Sequence, residues 1–161
     1  DHLNKYFKQG HFLYSLASIE QSESLEPIFD SVDSAIPNPN AVICESMMVL
    51  YHITANESYL NDAKSMIHKV TQPLKNGYFQ HASWLSLLLK LEHGWNTVKA
   101  KDPLTVLRYF ESLYINDLIL ILDTSLKMDE IQYCNDSVCY PKVTSHTEMK
   151  ELYNQLNFGK N

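Results

Sequence analysis

Asp33, Asn38, Asn40 and Glu45 bring two carboxylates and two carboxamides close together in the sequence, at what reads as the entrance of a helix. Carboxylates so placed can act as general acids or bases, and carboxamides beside them supply directional donors and acceptors. The same residues have a plain structural use, since Asn40 suits a helix N-cap and Asp33 suits a turn. Both uses stay open at the level of sequence. Four histidines, His52, His68, His81 and His93, lie on or beside helical segments, where each could face a cleft or serve as a hydrogen-bonded structural group. None has a second histidine at the i, i+4 spacing of a zinc-binding helix. No metal site and no cofactor are therefore expected.

Cys134 and Cys139 form the other pair with potential chemistry. Two grouped thiols fall short of four zinc ligands, and their spacing differs from the Cys-x-x-Cys of thioredoxin-type catalysis. They read as structural thiols, as a disulfide if their Cα atoms come within about 7 Å, or as a redox or metal pair. Cys44 falls on the inward side of a helix and reads as core. Three cysteines, unevenly placed, do not make a disulfide framework, so a reducing, cytoplasmic location is expected. Asn56-Glu-Ser58 and Asn135-Asp-Ser137 match the N-glycosylation pattern, which matters only in a secreted eukaryotic chain. Among the aromatics, Tyr78, Trp84 and Trp95 could stack on a ring. Trp84 reads as core, while Trp95, next to Gly94 at a helix end, reads as the freer platform.

The elements that must position these groups are mostly helices. Pro37 and Pro39 hold their preceding residues out of the helical region, so 34–40 is expected as an ordered loop. Asn40 then caps a helix with Ile43, Met47 and Leu50 at helical spacing. Asn56 caps a second, with Leu60, Ala63, Ile67 and Val70 on one face, which Pro73 is expected to end. Together they make a helical hairpin. A third helix, about 79–92, carries Trp84, Leu87, Leu88 and Leu91 on one face. With Leu85 and Leu89 it is apolar most of the way round, which predicts burial on two sides.

Beyond Gly94 the pattern changes. A weak strand is read at 96–101, followed by a helix capped by Asp102 with Pro103 at its first position. Leu118-Ile-Leu-Ile-Leu122 is apolar at every position, which predicts an inner strand, and a further strand covers 131–135. Ser145-His-Thr-Glu148 is a capping-box pattern that opens a final helix. Helical hairpins thus come first and a small α/β element closes the chain.

The chain has 161 residues, of which 45% are hydrophobic and 20% charged. That is enough for one domain with a core of its own. A net charge of −6 argues against a nucleic-acid partner, since such binding needs a basic surface. No basic cluster points to a membrane surface, and the longest apolar run is far short of the roughly 20 residues of a spanning helix. The chain starts at Asp1 without Met, and a fragment of a longer protein is expected.

Two stretches resemble one family, the thioredoxin-domain-containing proteins typified by the spermatogenesis-associated, thioredoxin-like proteins. In that family a loop close to Gly-Ala-Ile-Pro-Ser-Gly-Asn-Ser-Val-Ala leads into a Leu-rich helix, then Leu-Thr-Gly, then a helix beginning Tyr-Leu-x-x-Ala. Here Ala35-Ile-Pro37, Asn40, Val42, Thr54, Tyr59-Leu60 and Ala63 occupy those places, with Asn38-Pro39 where the family has Ser-Gly. The family's closing Tyr-Val-Cys-x4-Cys-x-x-Pro-Val-Thr is matched by Tyr133-Cys134, Cys139, Pro141 and Val143-Thr144, the proline falling one residue early.

The resemblance implies a fold that is mainly α. Residues 1–94 would be helical hairpins of a partial (α/α) toroid, similar to N-acylglucosamine 2-epimerase and six-hairpin glycosidases. Residues 95–161 would be a small C-terminal α/β extension packed on it. It also implies that any activity is carbohydrate-directed, with Asp33, Asn38, Asn40, Glu45 and Trp95 contacting a sugar ligand. The alternative is a non-catalytic binding or scaffolding module. Its partner would be the missing N-terminal part of its parent protein or another copy of itself, with neither nucleic acid nor membrane involved. A thiol-redox accessory role rests on Cys134 and Cys139 alone.

Overall fold

The computed structural model describes residues 2–21, 26–102, 104, 106–107, 118–135 and 138–158. The chain divides into two units, Asp1–Glu92 and His93–Asn161.

The first unit is helical. A five-residue helix α1 (His2–Tyr6) is followed by irregular chain and a single 3-10 turn at Ile19–Gln21. Helix α2 (Pro39–Thr54) and helix α3 (Glu57–Asn76) then form the expected hairpin. Its turn is made by Ala55, which adopts a left-handed φ of 55° and returns its N–H to the Tyr51 carbonyl at 2.7 Å. Asn56 follows and caps α3 by accepting from the Ser58 amide. A 3-10 turn at Tyr78–His81 leads into α4 (Ala82–His93).

The core of this unit is built from one face each of α2, α3 and α4. Cys44, Met48, Ala63, Met66, Val70 and Trp84 are all at most 2% exposed. Pro73 lies inside α3 and does not end it. Near a C-terminus a proline removes one intrahelical bond, and the remaining turn is held by its neighbours.

The second unit holds a four-stranded mixed sheet. Its strands are β1 (Asn96–Ala100), β2 (Leu118–Leu122), β3 (Ile131–Asn135) and β4 (Val138–Cys139), in the order β2-β1-β3-β4. Strand β1 runs parallel to β2, with Asn96 opposite Leu118, and antiparallel to β3, with Asn96 opposite Asn135. Helix α5 (His146–Phe158) closes the chain. Val98, Ala100, Val106, Ile131, Tyr133 and Met149 form the buried cluster, with Leu118, Val143 and Leu152 packed against it. The capping box at the start of α5 is present in altered form. Ser145 Oγ accepts from the Glu148 amide, and the Glu148 carboxylate reaches back to the Thr144 amide, one residue earlier than in the standard motif.

This architecture corrects the expected fold class. The chain is a small α/β protein and not part of a helical-hairpin toroid. A closed ring of hairpins requires each hairpin to bury its faces against neighbouring hairpins. Here α2 and α3 make one hairpin, and the described residues before them hold one five-residue helix, a 3-10 turn and irregular chain. The expected inner strand is also displaced. β2 is at the edge of the described sheet, and the weakly signalled β1 is central. An all-apolar run therefore does not distinguish an inner strand from an edge strand, since here Leu122 is 62% exposed. The helix expected after Pro103 lies largely outside the described residues.

Candidate functional site

The loop before α2 is stitched into the protein by the side chains expected to contact a ligand. Asp33 accepts two amides, Asn38 N–H and Ser83 N–H, each at 2.8 Å. Ser83 is in the first turn of α4, so Asp33 satisfies an unbonded donor at that helix's positive end, the place where a carboxylate is most favourable. Partial burial works against the charge on Asp33. The amides of Ser83 and Asn38, helped by nearby His81, outweigh it and hold the carboxyl below its ordinary value.

Asn38 is the true N-cap of α2, accepting from the Asn40 amide at 2.9 Å, and Pro39 begins the helix. The cap therefore moves two residues upstream of the expected Asn40. Proline tolerates the first helical position because its missing N–H has no partner there anyway.

Asn40 instead points inward, 1% exposed. Its Oδ1 accepts from the Tyr14 amide at 2.7 Å, and its Nδ2 donates to the carbonyls of Tyr14 at 2.9 Å and Asp30 at 3.0 Å. Trp84 donates from Nε1 to the Ser31 carbonyl at 3.0 Å. His81 is buried between the Gly77 carbonyl, 2.8 Å from Nδ1, and the Ser31 hydroxyl, 3.3 Å from Nε2. Every polar group of the expected cluster in this loop thus has an internal partner.

Glu45 is the one member that faces a groove. Pro37, Ala41, Val42, Glu45, Ser83 and Ser86 line a depression of about 200 Å³ between α2 and α4. The Glu45 carboxylate is bonded there to Lys90 Nζ at 2.6 Å. No second carboxylate lines this groove, whereas glycoside hydrolysis requires two flanking the scissile bond. Trp95 belongs to the second unit and is 5% exposed, so it presents no open platform. Tyr78, by contrast, is exposed.

Cys134 and Cys139 face each other across β3 and β4 and are joined as a disulfide, with Cα atoms 4.0 Å apart. Of the readings left open by the sequence, this is the one realised. Cys44 is fully buried, and burial followed by the Glu45 charge pushes its thiol up to about 12. Among the described residues, no three His, Cys, Asp or Glu side chains gather as metal ligands would.

Several contacts could not be found from sequence. Asp33 and Ser83 are 50 residues apart, and Glu45 and Lys90 are 45 apart. No local pattern signals either pairing. The all-round apolar pattern in the sequence falls on the third helix, α4, where Leu89 is 59% exposed, and not on α2. Compared with known protein families and with curated proteins, the chain matches none.

Proposed function

We propose that the chain is a non-catalytic binding module whose α2 docks onto another copy of itself. The observation that carries this reading is the outer face of α2. Val42, Leu50 and Ile53, 48%, 39% and 51% exposed, recur at helical spacing opposite the buried face of Ala41, Cys44, Met47 and Met48. A helix that is apolar on both sides is normally covered on both sides. Beside it, Leu3, Ile43, Leu50 and Tyr59 help line an apolar groove of about 230 Å³, which would receive side chains of the second α2.

Charge supports a second copy as the occupant. In a two-fold interface a residue near the axis meets its own copy, so an unpaired charge there would repel. Helix α2 carries one acidic side chain, Glu45, and it is ion-paired with Lys90. The carbohydrate-directed reading lacks comparable support, because Asp33, Asn38 and Asn40 are bonded to backbone groups.

The test is sedimentation of the full chain across a concentration series. A monomer–dimer equilibrium is expected. It should strengthen with salt, which screens repulsion between two copies of net charge −6. Leu50→Lys with Ile53→Lys should yield a monomer of unchanged circular dichroism. A wild-type chain that stays monomeric at the highest soluble concentration overturns self-association.

A further inference from the structure

A second surface on the first unit combines an exposed aromatic ring with two lysines that have no ion-pair partner among the described residues. Phe12, Lys64, Ser65, His68 and Lys69 line an open groove of about 270 Å³ against the outer face of α3. Phe12 is 54% exposed, and its neighbours hold it there. Leu13 and Tyr14 are buried on one side. On the other, the His11 ring stacks on Phe29 with centroids 4.1 Å apart, and its Nδ1 accepts from the Leu13 amide at 3.1 Å. The segment is thus pinned at both ends with its one large ring turned outward.

Two lysines border the groove. In this unit Lys8 is ion-paired with Asp62 and Lys90 with Glu45. Lys64 and Lys69 have no ion-pair partner among the described residues. Asp62, the acid nearest Lys64 in sequence, is already held by Lys8 at 3.2 Å. Lys64 and Lys69, with no acid paired to them among the described residues, and a histidine beside them form a local positive site on an acidic protein, where an anion is attracted. An aromatic face next to that site adds stacking for a planar ring.

We infer that this groove binds a phosphate monoester of a planar aromatic group, with the ring on Phe12 and the phosphate between Lys64 and Lys69. Its volume lies just under the range of about 300–1,000 Å³ usual for drug-sized ligands, which fits a single ring bearing one phosphate. Polymeric nucleic acid is disfavoured by the overall negative charge.

The experiment is a two-dimensional amide NMR titration of the full chain with phenyl phosphate, and separately with inorganic phosphate. Amides around Phe12 and from Lys64 to Lys69 should shift with both. Phenyl phosphate should bind at least about fivefold more tightly, the lower end of what ring stacking contributes. Phe12→Ala should abolish that preference while leaving phosphate binding in place. Lys64→Gln with Lys69→Gln should weaken both ligands. All these positions are exposed or half-exposed, so the variants are expected to fold, and their spectra report it directly. Absence of shifts at these amides in millimolar phenyl phosphate overturns the inference. So does a preference for phenyl phosphate that survives Phe12→Ala.

Discussion

Replacing Asn40 by alanine distinguishes a structural role for the loop before α2 from a ligand-contacting one. The side chain is 1% exposed and bonds to both backbone groups of Tyr14. Alanine leaves that amide and carbonyl buried without partners, at a cost of about 1–3 kcal/mol each. The Asp30 carbonyl is only partly buried and recovers water. The expected destabilisation is therefore about 2–6 kcal/mol, against a total stability of about 5–15 kcal/mol for a domain. In urea, followed by far-ultraviolet circular dichroism, the midpoint should fall by about 2 M with an unchanged slope.

Asn40→Asp sharpens the test. It keeps the acceptor for the Tyr14 amide but loses the donor to two carbonyls and buries a charge. It should be at least as damaging at neutral pH and recover partly once the carboxyl protonates. A loss below about 0.5 kcal/mol for Asn40→Ala, the scale of an indifferent surface change, would refute the reasoning and return Asn40 to the pool of free ligand contacts.

Two further outcomes follow from the same bonds. Asp33 has its carboxyl lowered in the folded state, so its contribution is present above the unfolded value of about 3.9 and is lost as pH falls through the folded value. Stability should decline on acidification below about pH 4, and Asp33→Asn should flatten that part of the profile in urea melts at a series of pH values. For the Cys134–Cys139 bond, which closes a separation of five residues, the double serine variant should lose about 2 kcal/mol, as loop-closure entropy predicts for so short a loop. Thermal melts of wild type with and without reductant should reproduce the difference.

What the sequence made legible was local. The α2–α3 hairpin, the Asn56 cap and β3 follow from periodicity and capping chemistry within a few residues of each position. The cap of α2 was misplaced because Asn38 and Asn40 are chemically equivalent candidates. Only the burial of Asn40 against Tyr14 and Asp30, 26 and 10 residues away, tells them apart. The all-apolar run of β2 does not reveal its edge position, because hydrophobicity reports burial of side chains and not hydrogen bonding of strand edges. The toroid failed for a related reason. A hairpin pattern shows that two helices pair, and it carries no information about whether further hairpins stand beside them.

The site followed the same logic. A cluster of Asp and Asn before a helix has the composition of a polar binding loop and equally of a loop that satisfies its own backbone. In this protein the second use consumes Asp33, Asn38 and Asn40, and the recognition proposed above falls to surfaces that no polar motif marked. These are the uncharged outer stripe of α2 and the basic, Phe12-bearing groove on α3. The two surfaces have opposite electrostatic requirements. Pairing of α2 brings together two chains of net charge −6 through a neutral face, so added salt favours it. Binding of a phosphate monoester rests on Lys64 and Lys69, so added salt weakens it. One salt series, read by sedimentation and by amide shifts on the same sample, therefore separates them. If both signals move in the same direction, the two surfaces are not independent, and at least one of the assignments is wrong.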